Sequence, residues 1–188
     1  MVILAGGPAY AKLSIPALLC IGVICTIFAI LLYAVCLMPA REHSKQILPP
    51  PDSLQVQERI RWSDMDTAGI MYFGTYIRLF EIAETELMRA AGCPYSNEQF
   101  RTLGIWMLRV NFHCDFFAPA FIDDLLTIHI WTGSPGRASL PLYFAVCRNQ
   151  QVLGKGSCTI VATGIQSQKA VKIPQIMLDG LRPYCFPE

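Results

Sequence analysis

The sequence predicts an α+β domain, one long helix lying on a curved antiparallel sheet of about five strands, behind a separate apolar N-terminal helix. Three observations carry that reading. Helical spacing of apolar residues is concentrated in one long stretch, Thr75 to Ala91, while strand-like alternation fills most of the chain that follows it. The third is a run without a single charged residue, Leu13 to Ala40, which resembles nothing else in the sequence.

The core of that run, Ile15 to Met38, is long enough for a membrane span, which takes about 20 apolar residues. A secretory signal would carry a shorter apolar region, about 7 to 15 residues, and a clearer basic start, so an anchor is expected rather than a cleaved leader. Arg41 and Lys45 set against Lys12 place the C-terminal side in the cytoplasm. Met38 opens an ordinary polar sequence, MPAREHSKQ, and translation from there would give a cytoplasmic protein without the segment. The expected organisation is an apolar segment over 1–40, with a membrane as partner through 13–38, a Pro-rich linker over 41–54, and a folded domain over 55–188.

Val56, Glu58, Ile60 and Trp62 alternate with Gln57, Arg59 and Arg61, which predicts a half-exposed strand. In the helix, Tyr76, Phe80, Ala83, Leu87 and Ala91 share a face, and Gly92 with Pro94 ends it. So rich an apolar face needs a sheet to lie on. Leu108 to Phe116, Leu125 to Trp131, Leu140 to Arg148 and Val152 to Ile165 supply it as strands separated by turns. Pro141 lacks a ladder N–H and predicts a strand edge or a bulge at that point, and a short helix is expected after Pro174.

Composition excludes several functions. A net charge of +1, without clustered Lys and Arg, gives no nucleic-acid surface. The eight cysteines are scattered without a CxxC, and His43, His113 and His129 stand alone, so free thiols are expected and neither a metal site nor a redox cofactor. Chemistry concentrates instead in Asp64 and Asp66, two carboxylates in a turn closed by Thr67, Ala68 and Gly69 directly before the helix. Helix N-termini expose unpaired N–H groups at the positive end of the dipole, so an acid beside one can direct water while the N–H groups hold an oxyanion. The plainer reading of an Asp in such a turn is turn structure.

The stretch RWSDMDTAGIMYFGTYIRLFEIAETELMRAAG resembles the signature of the 4-hydroxybenzoyl-CoA thioesterase family, including the acyl-CoA thioesterases associated with the Tol-Pal system. FFAPAFIDDLLTIHIWT, RASLPLYFAVCRNQQVLGKGSCTIVAT and KAVKIP continue the resemblance in order across residues 54 to 178. It implies a hotdog fold, a homodimer or homotetramer with each site between subunits, and hydrolysis of an acyl-CoA without a cofactor. The family's catalytic carboxylate matches Asp66, as nucleophile or general base, and its carbonyl-binding N–H groups match those of Phe73 and Gly74. Many Tol-Pal-type members have a histidine where this chain has Phe73, so only a backbone role carries over there.

Asp64 is read as structural. Gly69, Tyr72, Tyr76 and Arg137 are expected to meet the substrate, Arg137 and Lys155 through the CoA phosphates, although the aromatics could equally fill the core. A separate branch of hotdog enzymes uses a helix glutamate, which makes Glu84 the fallback acid, against the plainer reading of a solvated or subunit-facing charge. The alternative function is a non-catalytic module that binds acyl-CoA or an acyl carrier at a membrane.

Overall fold

A computed structural model describes residues 49–186. The expected apolar helix and most of the linker lie outside them. Among the described residues no helix is long and apolar enough to cross a membrane. The expected transmembrane helix and membrane partner are corrected on that finding. At the described end of the linker the Ser53 N–H closes a turn onto the Pro50 carbonyl.

The order of elements is β1 (Leu54–Arg59), a 3-10 turn (Trp62–Asp64), α1 (Thr75–Ala90), α2 (Asn97–Leu103), β2 (Ile105–Phe116), β3 (Leu125–Thr132), β4 (Ser139–Arg148), β5 (Gln151–Gly164) and α3 (Gln175–Leu181). All four strand pairings are antiparallel, in the spatial order β1-β3-β4-β5-β2. This is the expected α+β arrangement, a hotdog-like fold with a central helix on an open, curved sheet. The expected meander holds for β3, β4 and β5, and the two remaining strands form the edges.

Period-2 alternation places Leu126, Ile128 and Ile130 of β3, Leu140, Leu142 and Phe144 of β4, and Cys158, Ile160 and Ala162 of β5 on the buried face. Against them α1 lays Tyr76, Leu79, Phe80, Ala83, Leu87 and Met88, all buried, each large one contributing about 1.5–3 kcal/mol. Close approach of helix and sheet depends on two glycines in β5. A Cβ on Gly154 would sit 2.7 Å from the Tyr76 ring, and one on Gly156 would sit 2.2 Å from the Phe80 ring, which is stacked at 4.3 Å on Phe144. The helix ends as expected. Gly92, at φ +74°, donates to the Arg89 carbonyl and Cys93 to the Met88 carbonyl, a paired closure that satisfies two of the last free carbonyls.

Three differences from expectation have local causes. β1 stops at Arg59, so Trp62 leaves the strand for the 3-10 turn. Helix α2 was not expected; Ser96 caps it by accepting the Gln99 N–H at 3.1 Å, and Gly104 closes it. Pro141 lies instead in an interior strand, opposite Thr159 of β5, and its carbonyl accepts the Gly133 N–H just past the end of β3, where the Gly133 carbonyl takes the Cys185 thiol rather than a ladder N–H. The bulges fall elsewhere, at Val110 and between Val146 and Cys147.

Replacing Gly156 by alanine should push Phe80 off Phe144, because neither ring has room to retreat. An overpacking loss of about 1–3 kcal/mol is expected in urea denaturation. Alkaline pH should also weaken the fold. Burial raises Tyr76, Cys114 and Cys158 to about 12, helped respectively by Cys114, Asp115 and Glu84. The folded state therefore holds these protons more tightly than the unfolded chain, and their contribution, complete below about pH 9, is lost as pH rises toward 12. Unfolding free energies measured from pH 8 to 11 should fall monotonically.

Candidate active site

The site is built from the chain between β1 and α1. The Asp64 carboxylate is buried, with Oδ2 accepting the Arg61 N–H at 2.8 Å and Oδ1 accepting Arg78 Nη2 at 2.9 Å. Its carbonyl accepts the Tyr72 N–H at 2.8 Å and the Thr75 hydroxyl at 3.3 Å. One residue thus fastens the end of the strand, the turn and the start of the helix. Every strong contact of Asp64 is structural.

Asp66 sits half-buried at the turn itself. The Ala68 N–H donates to its Oδ1 at 2.7 Å, the Asp66 N–H donates to the Ile70 carbonyl, and Gly69 adopts φ +76°, a conformation that favours glycine. Oδ2 has no hydrogen-bond partner among the described residues. Asp66 lines a cleft of about 690 Å³ together with Trp62, Met65, Thr67, Gly69 and Ile122. The far wall comes from the loop before β3, held because Asp124 Oδ2 accepts the Phe121 N–H at 2.8 Å and Arg148 Nη1 at 2.7 Å.

The start of α1 lies just beyond. The N–H groups of Thr75, Tyr76 and Ile77 donate to the carbonyls of Tyr72, Phe73 and Gly74, whereas those of Phe73 and Gly74 have no acceptor among the described residues. Gly74 and Tyr72 line a second cleft of about 450 Å³ with Arg61, Ser63, Asp64, Thr75 and Arg78. Its two arginines are matched by two carboxylates, Glu58 and Asp64.

Of the other expected substrate residues, Gly69 shares the cleft with Asp66, and Tyr72 and Phe73 are exposed at the helix start with ring centroids 4.4 Å apart. Tyr76 does not reach either cleft. It is buried in the core against Phe80 and Phe116. Arg137 is exposed beyond the far end of β3, whose eight residues extend about 26 Å from the loop that walls the cleft, so it is remote from Asp66 within the chain. Trp62, Met65 and Ile122 were not anticipated as cleft residues; the adjacency of Trp62 to the acid turn was the available signal. Among the described residues no cluster of His, Cys, Asp or Glu is arranged to hold a metal ion.

Glu84 differs from both of its expected roles. It is 1% exposed, and its carboxylate accepts the Tyr95 hydroxyl at 2.7 Å and Arg109 Nη2 and Nε at 2.6 and 3.1 Å, which ties α1 to β2. Burial, then the Glu84 charge, raises the Tyr95 hydroxyl far above its ordinary range, so it remains a donor. With both oxygens engaged in structure, this carboxylate has little left for a substrate. Glu84→Ala should cost about 2–3 kcal/mol, below the loss for a fully buried pair because Arg109 keeps access to water. Urea denaturation checks the loss, and the folded fraction should retain its turnover rate.

The chain has relatives among known proteins. Residues 60–181 match the model of the thioesterase-like superfamily. The chain is 24% identical over 120 residues to the acyl-CoA thioesterase YbgC of Haemophilus influenzae, covering 62% of this chain and 85% of that protein. It is 24% identical over 125 residues to the 1,4-dihydroxy-2-naphthoyl-CoA hydrolase of a Synechococcus strain, covering 64% and 84%. The crystal structure of the 1,4-dihydroxy-2-naphthoyl-CoA thioesterase of Synechocystis superposes with a TM-score of 0.63 at 18% identity, covering 69% of this chain and 96% of that one, a likeness of fold. The chain belongs to the thioesterase-like superfamily and is a thioester hydrolase.

Proposed function

We propose that the protein hydrolyses acyl-CoA thioesters at Asp66. The observation that carries this reading is the state of its carboxylate: one oxygen is oriented by the Ala68 N–H while the other, Oδ2, has no partner among the described residues, and Asp66 lines a cleft with largely apolar walls. The thioester carbon lies against Oδ2. Either the carboxylate attacks it, expelling the CoA thiolate and leaving an acyl-aspartyl anhydride that water cleaves, or the carboxylate takes a proton from a water that attacks directly. Both routes consume one water and give the free acid and CoA.

The Phe73 and Gly74 N–H groups supply the donors for the carbonyl oxygen. No protein acceptor among the described residues competes for them, and the helix dipole favours the negative charge that develops. Phe73 contributes through its backbone, so the departure from histidine leaves this step intact. Within the chain Arg137 is too distant to touch the reacting carbon. One relative is named for acyl-CoA and another for 1,4-dihydroxy-2-naphthoyl-CoA, and the Tol-Pal-type assignment rests on the YbgC likeness alone.

Asp66→Asn tests the reading. The substitution keeps an acceptor at Oδ1 for the Ala68 N–H, so the turn should hold, while losing both the nucleophile and the base. A fall in kcat of about 100-fold or more on acyl-CoA substrates is expected, with an unchanged circular dichroism spectrum. Wild-type turnover in this variant would exclude Asp66 as the reacting group.

A further inference from the structure

Trp62 plays no part in the chemistry just described, yet it is the most exposed large hydrophobic side chain among the described residues, at 84%. Its position is imposed. The Trp62 carbonyl accepts the Met65 N–H at 3.3 Å, the Asp64 N–H donates to the Arg61 carbonyl at 3.0 Å, and the buried Asp64 carboxylate pins the Arg61 N–H. A braced turn therefore holds an indole out into water directly beside Asp66.

The opposite wall is fixed with equal care. Ile122, 48% exposed, rides on a loop whose Asp123 N–H donates to the Ile60 carbonyl at 2.9 Å and whose Asp124 carboxylate holds both the Phe121 N–H and Arg148. Together Trp62, Met65 and Ile122 give the Asp66 cleft its apolar lining within about 690 Å³. The neighbouring cleft offers no comparable seat, since it is lined by ion-paired Arg61 and Arg78. Exposed apolar surface gathered around a reactive carboxylate marks where an apolar ligand lies.

We infer that Trp62, with Met65 and Ile122 beside it, is the seat of the acyl group and makes the enzyme select large apolar acyl groups over short ones. This rests on Asp66 being the reacting group. An acetyl group at Oδ2 covers little of the indole and leaves most of the cleft to water, whereas a longer chain or an aromatic ring spans it and removes the exposed apolar surface from water. Trp62 is thus a specificity residue that acts on the part of the substrate distant from the bond that breaks.

The test compares kcat/KM of the full chain, Trp62→Ala and Trp62→Phe on acetyl-, butanoyl-, octanoyl- and benzoyl-CoA. Trp62→Ala should lower the values for octanoyl- and benzoyl-CoA about tenfold more than those for the two short substrates, and Trp62→Phe should restore most of that difference. A larger loss on benzoyl-CoA assigns a flat ring to the seat, and a larger loss on octanoyl-CoA assigns a chain. An equal loss on all four substrates, no loss, or a changed mass of the particle in solution would overturn the inference. A binding readout separates it from the Asp66 reading: octanoyl-CoA titrated into Asp66→Asn should shift tryptophan emission, and adding Trp62→Phe should abolish the shift. Should Asp66→Asn turn over normally, the catalytic reading fails while the emission titration, repeated with a non-hydrolysable octanoyl-CoA thioether, still decides Trp62.

Discussion

Everything at the site depends on the buried carboxylate of Asp64. A buried charge is stable only when it is paired and hydrogen-bonded, and Asp64 meets that condition with a backbone N–H and an arginine, while its own carbonyl takes the Tyr72 N–H and the Thr75 hydroxyl. Those four bonds join residues 61, 64, 72, 75 and 78, so the strand end, the acid turn and the first turn of the helix move as one piece. Two residues along, Asp66 is spared any bracing duty for its second oxygen. The D-x-D pair divides its labour: Asp64 is paired and holds the geometry, while Asp66 keeps one carboxylate oxygen without a partner among the described residues.

The fold was largely legible because its signals are periodic. The face shared by Tyr76, Phe80, Ala83, Leu87 and Ala91 is buried as a unit, and the alternation in β3, β4 and β5 maps directly onto burial. What periodicity could not reveal was α2, seven residues with no buried member, whose only marks are the Ser96 cap and Gly104. The strand order was hidden too, since alternation shows which face a residue takes and not which neighbour it pairs with. Tyr76 shows a further limit. Sequence offered core and pocket as equal destinations for it, and the choice was made by Gly154 on a distant strand, where the missing Cβ gives the ring its space.

Glu84 illustrates why charged residues were the hardest to place. Its sequence neighbours suggest an ordinary helix surface, and its burial follows from two partners far along the chain, Tyr95 and Arg109, which no local pattern joins to it. Asp66 was easier because its signal is entirely local: a turn, a left-handed glycine and a helix start within nine residues. Trp62 fell between these cases. It fitted the alternation of β1, and only the early end of that strand freed it to stand beside the acid.

The β2 edge has a consequence for the behaviour of the chain in solution. Leu108, Val110, Phe112 and Phe116 are exposed on a twelve-residue strand that is an edge of the sheet among the described residues, with one row of backbone groups facing outward beside apolar side chains. Two features limit its adhesiveness: the bulge at Val110 breaks the ladder into shorter segments, and Arg109, His113 and Asp115 interrupt the apolar surface. The opposite edge, β1, is half as long and turns Gln55, Gln57 and Arg59 outward. Among the described residues the two sheet edges are therefore unequal. Partial opening that lifts α1 would join the inner face of β2 to its edge, so self-association of damaged or incompletely folded chains would begin along that strand and spread from its Asn111–Phe116 half.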